Sequence, residues 1–89
     1  MLAKVTRLEK LGDFMLRVSF NDGSAGVHDF APLVREAGPM LEPLRNEVYF
    51  ARVFLEFGAP TWPNGFDIAP EWLRREMEAA GELTRAAAE

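Results

Sequence analysis

The chain has no cysteine. That excludes a disulfide scaffold, a thiol nucleophile and every thiolate zinc site. It has a single histidine, His28, so metal or acid–base chemistry would rest on carboxylates and one imidazole. A surplus of positive charge is also missing. Ten Lys and Arg stand against fourteen Asp and Glu, for a net charge of −4. Residues 1–20 carry a local excess of +2, residues 21–70 sum to −4 and residues 71–89 to −2. No segment forms the basic stripe that nucleic-acid affinity needs. No apolar run approaches the roughly 20 residues of a membrane span. No charged stretch followed by an apolar segment opens the chain, so no signal peptide is expected and a cytoplasmic location is.

What is present suits one small domain. The 89 residues leave no room for a second. Ordering such a chain costs on the order of 100 kcal/mol of conformational entropy, so most apolar positions must join the core. Hydrophobic residues make up 48%, with seven Phe and two Trp, which makes a core feasible without staples.

The strongest local signal is the alternation of Phe14, Leu16, Val18 and Phe20 with Asp13, Met15, Arg17 and Ser19. Period two means a strand with one buried face. Residues 2–8 read as a strand before it. Asp22-Gly23 is a hairpin signal, because glycine accepts the positive φ of a tight turn. Residues 24–29 return as a third strand, where Gly26 predicts a bulge or a close backbone approach. Pro32 starts a short helical turn through about Ala37. Residues 40–47 read as a loop with at most one helical turn. Another turn around 46–51 would point Val48 and Phe50 inward. Arg52 to Phe57 reads as a fourth strand burying Val53, Leu55 and Phe57. Gly58-Ala59-Pro60 is a turn or an irregular edge, and Thr61-Trp62 a brief fifth strand.

Trp62-Pro63-Asn64-Gly65 is a turn with Pro63 second, Asn64 third and Gly65 fourth. A helix then starts at Pro70, carries Leu73, Met77 and Ala80 as its apolar stripe, and stops at Gly81. The predicted fold is α+β: a small antiparallel meander of about four to five strands, short helical turns, and one C-terminal helix packed on one side. Residues 1–80 form the single domain. Residues 81–89 are expected as a tail, frayed or extending the helix.

These motifs resemble a known family. The residues that carry the likeness are Val18, Phe20, Asp22 and Gly23, then Gly26, Val27, Asp29, Phe30, Pro32 and Leu33, then Phe50 and Val53. They end in Trp62-Pro63-Asn64-Gly65, Asp67-Ile68 and Pro70-Glu71. Over about residues 3–78 the chain is similar to the bacterial domain of unknown function 2442. The resemblance implies a small α+β fold and a genomic setting beside another small, toxin-like protein. It brings no catalytic activity. Two positions depart from the family's pattern. Ala69 replaces a Ser-like helix cap, leaving Asp67 or water to serve. Ala59-Pro60 replaces β-branched residues before the Trp.

Candidate chemistry is sparse. His28 and Asp29 are strand neighbours, so their side chains leave on opposite faces and a His–carboxylate dyad is not expected. His28 is expected as an exposed strand residue. No metal site, cofactor or enzymatic activity is expected. Trp62, Asn64 and Asp67 have two readings: a turn fixed by a core-plugging Trp and Asx hydrogen bonds, or part of a partner-binding surface. Trp72 lies about 100° round the helix from Leu73. That puts it at the margin of the buried stripe, as a core edge or a partner anchor. The leading expectation is a protein-interaction module, the antitoxin-like member of a pair, with self-association into a homodimer. The alternative is a DNA-contacting regulatory accessory domain, supported only by the charge of residues 1–20.

Overall fold

Leu16, Val18 and Phe20 are all buried, and the strand they define is central to the sheet. The computed structural model describes residues 2–85. β1 (Val5–Lys10), β2 (Met15–Phe20) and β3 (Ser24–Asp29) form the antiparallel meander. Three short helical segments follow: α1 (Ala31–Val34), a 3-10 turn (Glu42–Arg45) and α2 (Glu47–Phe50). A separate two-stranded ladder of β4 (Phe54–Glu56) and β5 (Ala59–Thr61) leads to helix α3 (Pro70–Ala79), and β6 (Thr84–Arg85) closes the chain's described part.

The α+β class holds, with a different allocation of strands. The main sheet has the order β1-β2-β3-β6, while β4 and β5 pair only with each other. The β4–β5 hairpin packs beside β1, joined to it by a backbone hydrogen bond in which the Val5 amide donates to the Gly58 carbonyl over 2.8 Å. The first strand is displaced from residues 2–8 to Val5–Lys10, with a register shift after Val5.

The predicted fourth strand is shortened at both ends. Phe57 does not point inward: it is 93% exposed, and it shares a two-residue turn with Gly58, both at positive φ. The turn thus falls one residue earlier than predicted, and β5 starts at Ala59 and ends before Trp62. Val48 is another correction. It is 78% exposed while Phe50 is fully buried. Two positions about 200° apart on a helix cannot both face the core. The helical turn after β3, α1, ends at Val34 rather than near Ala37.

Helix α3 buries Leu73 and Met77, while Ala80 stays exposed. Its N-cap, Ala69, offers no side-chain acceptor to the first-turn amides, and among the described residues the Asp67 carboxylate does not accept from them in its place. Its end is a Schellman motif. Gly81 adopts φ +71, its amide donates to Glu78, and the Glu82 amide donates back to Met77. This reversal sends residues 82–85 back over the sheet instead of into a frayed or helical tail, and β6 pairs with β3. Residues 86–89 lie outside the described residues.

The reversal explains Gly26. A Cβ there would lie 2.1 Å from the Glu82 carbonyl oxygen and 3.3 Å from Met77 Cε. The predicted close backbone approach is therefore the exit of α3 crossing β3.

The centre of the core is aromatic. Phe50 packs edge-on against Phe14 at 5.2 Å and tilted against Phe30 and Trp62 at 5.9 and 5.6 Å. Trp62 also meets Phe66 at 5.8 Å. Such ring pairs contribute about 0.5–1.5 kcal/mol each beyond area burial.

Candidate interaction cleft

The sequence marks Trp62, Asn64, Asp67 and Trp72, and the fold separates them by role. Trp62 is 1% exposed. Its indole Nε1 donates to the Phe50 carbonyl at 2.9 Å, so it plugs the core and offers no surface to a partner. Asn64 works as a brace. Its Oδ1 accepts from the Phe66 amide and its Nδ2 donates to the Met40 carbonyl, at 3.1 and 3.0 Å. The Gly65 amide donates to Trp62 and the Trp62 amide to Phe66. With Gly65 at φ +91, this is a type I turn followed by a left-handed glycine, as the Pro-Asn-Gly run predicts.

Asp67 and Trp72 remain on the surface and come together. Both line a cleft of about 350 Å³ with Leu33, Phe66, Ile68 and Ala69. Trp72 and Leu33 also form one wall of an adjoining cleft of about 210 Å³, which reaches His28, Asp29, Pro32, Glu36 and Glu76. The two clefts run along the seam between α1 and α3. Trp72 is 37% exposed, at the helix margin where its angular offset from Leu73 placed it. Glu76, one turn later, shares its face.

Local chemistry holds the α1 wall in place. Asp29 Oδ1 accepts from the Ala31 amide at 2.9 Å, tying α1 to the end of β3. Arg45 donates from Nε to the Val34 carbonyl and from Nη2 to the Glu36 carbonyl, at 2.8 and 2.9 Å. The loop after α1 is thereby fixed beside the cleft. Sequence reasoning missed Leu33 as a lining residue, and the carboxylates of Glu36 and Glu76. No local pattern could have grouped them, because they come from different elements.

The cleft is electronegative. Its lining contains four carboxylates, Asp29, Glu36, Asp67 and Glu76, and no Lys or Arg. Its one imidazole is engaged. His28 lies on the helix-facing side of β3, half-buried rather than exposed. Its Nδ1 sits 2.7 Å from Glu82 Oε1 and its ring packs edge-on against Phe30 at 4.7 Å. Asp29 accepts from the Ala31 amide while His28 is engaged by Glu82, so the two neighbours do not form a dyad. Among the described residues, no three His, Asp or Glu side chains converge as metal ligands.

A second polar cluster lies where the β2–β3 turn meets α3. Asp22 Oδ1 accepts from the Ser24 hydroxyl and amide, at 2.6 and 2.9 Å. Its Oδ2 accepts from Arg74 Nε and Nη2, at 3.0 and 2.8 Å. The Ser24 donors, then Arg74, hold the Asp22 carboxyl well below the usual carboxylate range. The same pair raises the Arg74 guanidinium. Arg85 adds a bond to the Asp22 carbonyl. Every partner is satisfied, and the cluster is a clamp between turn and helix.

No helix among the described residues is long and apolar enough to cross a membrane. No curated protein and no solved structure matches the chain. One family model does, the protein of unknown function DUF2442, and it matches residues 5–79. With most of the chain covered, from β1 to the end of α3, this protein belongs to the DUF2442 family.

Proposed function

We propose that the chain is a non-enzymatic, cytoplasmic protein-interaction module whose contact surface is the Trp72 cleft. The observation that carries this reading is the exposure of Trp72, at 37%, in an apolar seam with Leu33 and Ile68. Large aromatic side chains at such margins are favoured binding anchors. The partner implied by the family resemblance is a small, toxin-like protein encoded next to this one.

The DNA-contacting alternative has less support. Its basis is the positive excess of residues 1–20, and one of those cations is met by a carboxylate from outside that segment: Lys10 lies 3.5 Å from Glu47.

The test is co-expression with the product of the adjacent reading frame, followed by affinity capture of the parent and of Trp72→Ala. The expected result is a complex with the parent at micromolar concentration that Trp72→Ala loses. No complex with the parent, or a complex indifferent to Trp72, would sink the reading.

A further inference from the structure

We infer that the occupant of the Trp72 cleft is an arginine-bearing, net-cationic segment of a partner protein; this inference rests on the cleft being the contact surface. Two independent features of the cleft select that chemistry. The first is its charge. Asp29, Glu36, Asp67 and Glu76 line it, and no Lys or Arg is among the lining residues. A cationic segment gains from that field, whereas a nucleic-acid phosphate or an anionic lipid surface is repelled.

The second feature is the indole itself. Elsewhere this protein stacks its own cations on its own rings: Lys10 sits 6.0 Å from the Phe50 centroid and Arg52 5.6 Å from that of Tyr49. Among the described residues Trp72 has no such resident cation, although indole is the strongest of the aromatic acceptors. Arginine fits both features at once. Its planar guanidinium stacks on an aromatic face while its edge pairs with a carboxylate, which a lysine ammonium cannot do. Glu76, on the same helix face as Trp72, is the carboxylate placed for that second contact. An apolar neighbour in the segment would then cover Leu33.

The experiment selects binders from a library of random short peptides displayed on phage, using the full chain as bait. Parallel selections use Trp72→Ala and the charge-reversed Glu36→Lys/Glu76→Lys variant, whose changes are both at exposed positions. The parent is expected to enrich peptides rich in Arg beside an apolar residue. Synthetic copies of these should bind about tenfold more weakly when salt rises from about 0.05 to 0.5 M. Their Arg→Lys versions should bind more weakly than the originals. Trp72→Ala should enrich none of them, and the charge-reversed variant should lose the cationic bias while keeping its circular dichroism spectrum.

A parent pool without cationic bias, or the same pool with all three baits, overturns the inference. Capture of the neighbouring gene product separates the two levels. If capture depends on Trp72 while peptides show no charge preference, the occupant's chemistry is wrong and the surface stands. If capture survives Trp72→Ala, the surface itself is wrong.

Discussion

Asp22 and Arg74 are 52 residues apart in sequence, and their side chains meet at 2.8 Å. This contact joins the β2–β3 turn to the middle of α3. The same carboxylate organises its own turn through Ser24, so one side chain couples local to long-range structure.

Asp22→Asn should lower the melting temperature at neutral pH, and the deficit should depend on pH in one direction. The folded carboxyl titrates below its ordinary value. A carboxyl depressed in this way adds stability above its unfolded pKa of about 3.9 and loses it as pH falls toward the folded value. Thermal melts of parent and variant should therefore differ by a constant amount above about pH 5 and converge in acid. A gap that widens on acidification would contradict the clamp.

Gly26→Ala should be among the most damaging single changes. The new Cβ would meet the Glu82 carbonyl carbon at 2.9 Å as well as its oxygen. Both are backbone atoms, so no rotamer change relieves the clash. Either the Schellman turn lifts from β3 or the strand shifts, at a cost of about 3 kcal/mol, the upper end of what overpacking costs. The urea midpoint of the variant measures this. Near-parental stability would show that α3 exits elsewhere.

Asn64→Ala and Asp67→Ala should behave differently, although they are only three residues apart. Asn64 makes two hydrogen bonds that tie the turn to itself and to Met40. Losing them should cost about 1–2 kcal/mol. The Asp67 carboxylate accepts no hydrogen bond among the described residues, and the residue is exposed. Asp67→Ala should leave the melting temperature within about a degree of the parent, since such surface changes are usually near neutral. It should still weaken cationic peptides by removing one of the cleft's carboxylates. Parallel melts and peptide titrations check both halves.

The contrast between these residues also shows how far the sequence could be read. β2 is legible because burial alternates strictly along Leu16, Val18 and Phe20. The end of α3 is legible because Gly81 must supply a positive φ. Trp72 is placed by the helical angle alone. Each of these is a local rule. The His28–Glu82 and Asp22–Arg74 pairs span 54 and 52 residues, and no periodicity links such positions. The cleft belongs to the same class. Leu33 meets Ile68 and Trp72 across a seam whose α1 wall is held by Asp29 and Arg45. β6 was missed for a related reason: two exposed residues have no pattern of their own and are strand only because Gly26 lets the chain pass.

Phe57 is the clearest conflict between local preference and structure. Its φ is +52 and that of Gly58 is +80, as a type I′ turn requires at both central positions. Asn or Gly normally takes the first of these, because a bulky side chain in the left-handed region costs about 1–2 kcal/mol. The ring recovers little by packing, being 93% exposed. Phe57→Asn should therefore stabilise the domain by about 1 kcal/mol, a rise of roughly 5 °C in melting temperature for a chain of this size. Gly58→Ala, at the second position, should do the reverse. Its Cβ would fall 2.8 Å from Lys4 Cβ at a φ that alanine resists. Scanning calorimetry of the two variants decides the point. A lower melting temperature for Phe57→Asn would mean that the ring holds the hairpin by a contact stronger than the strain it carries.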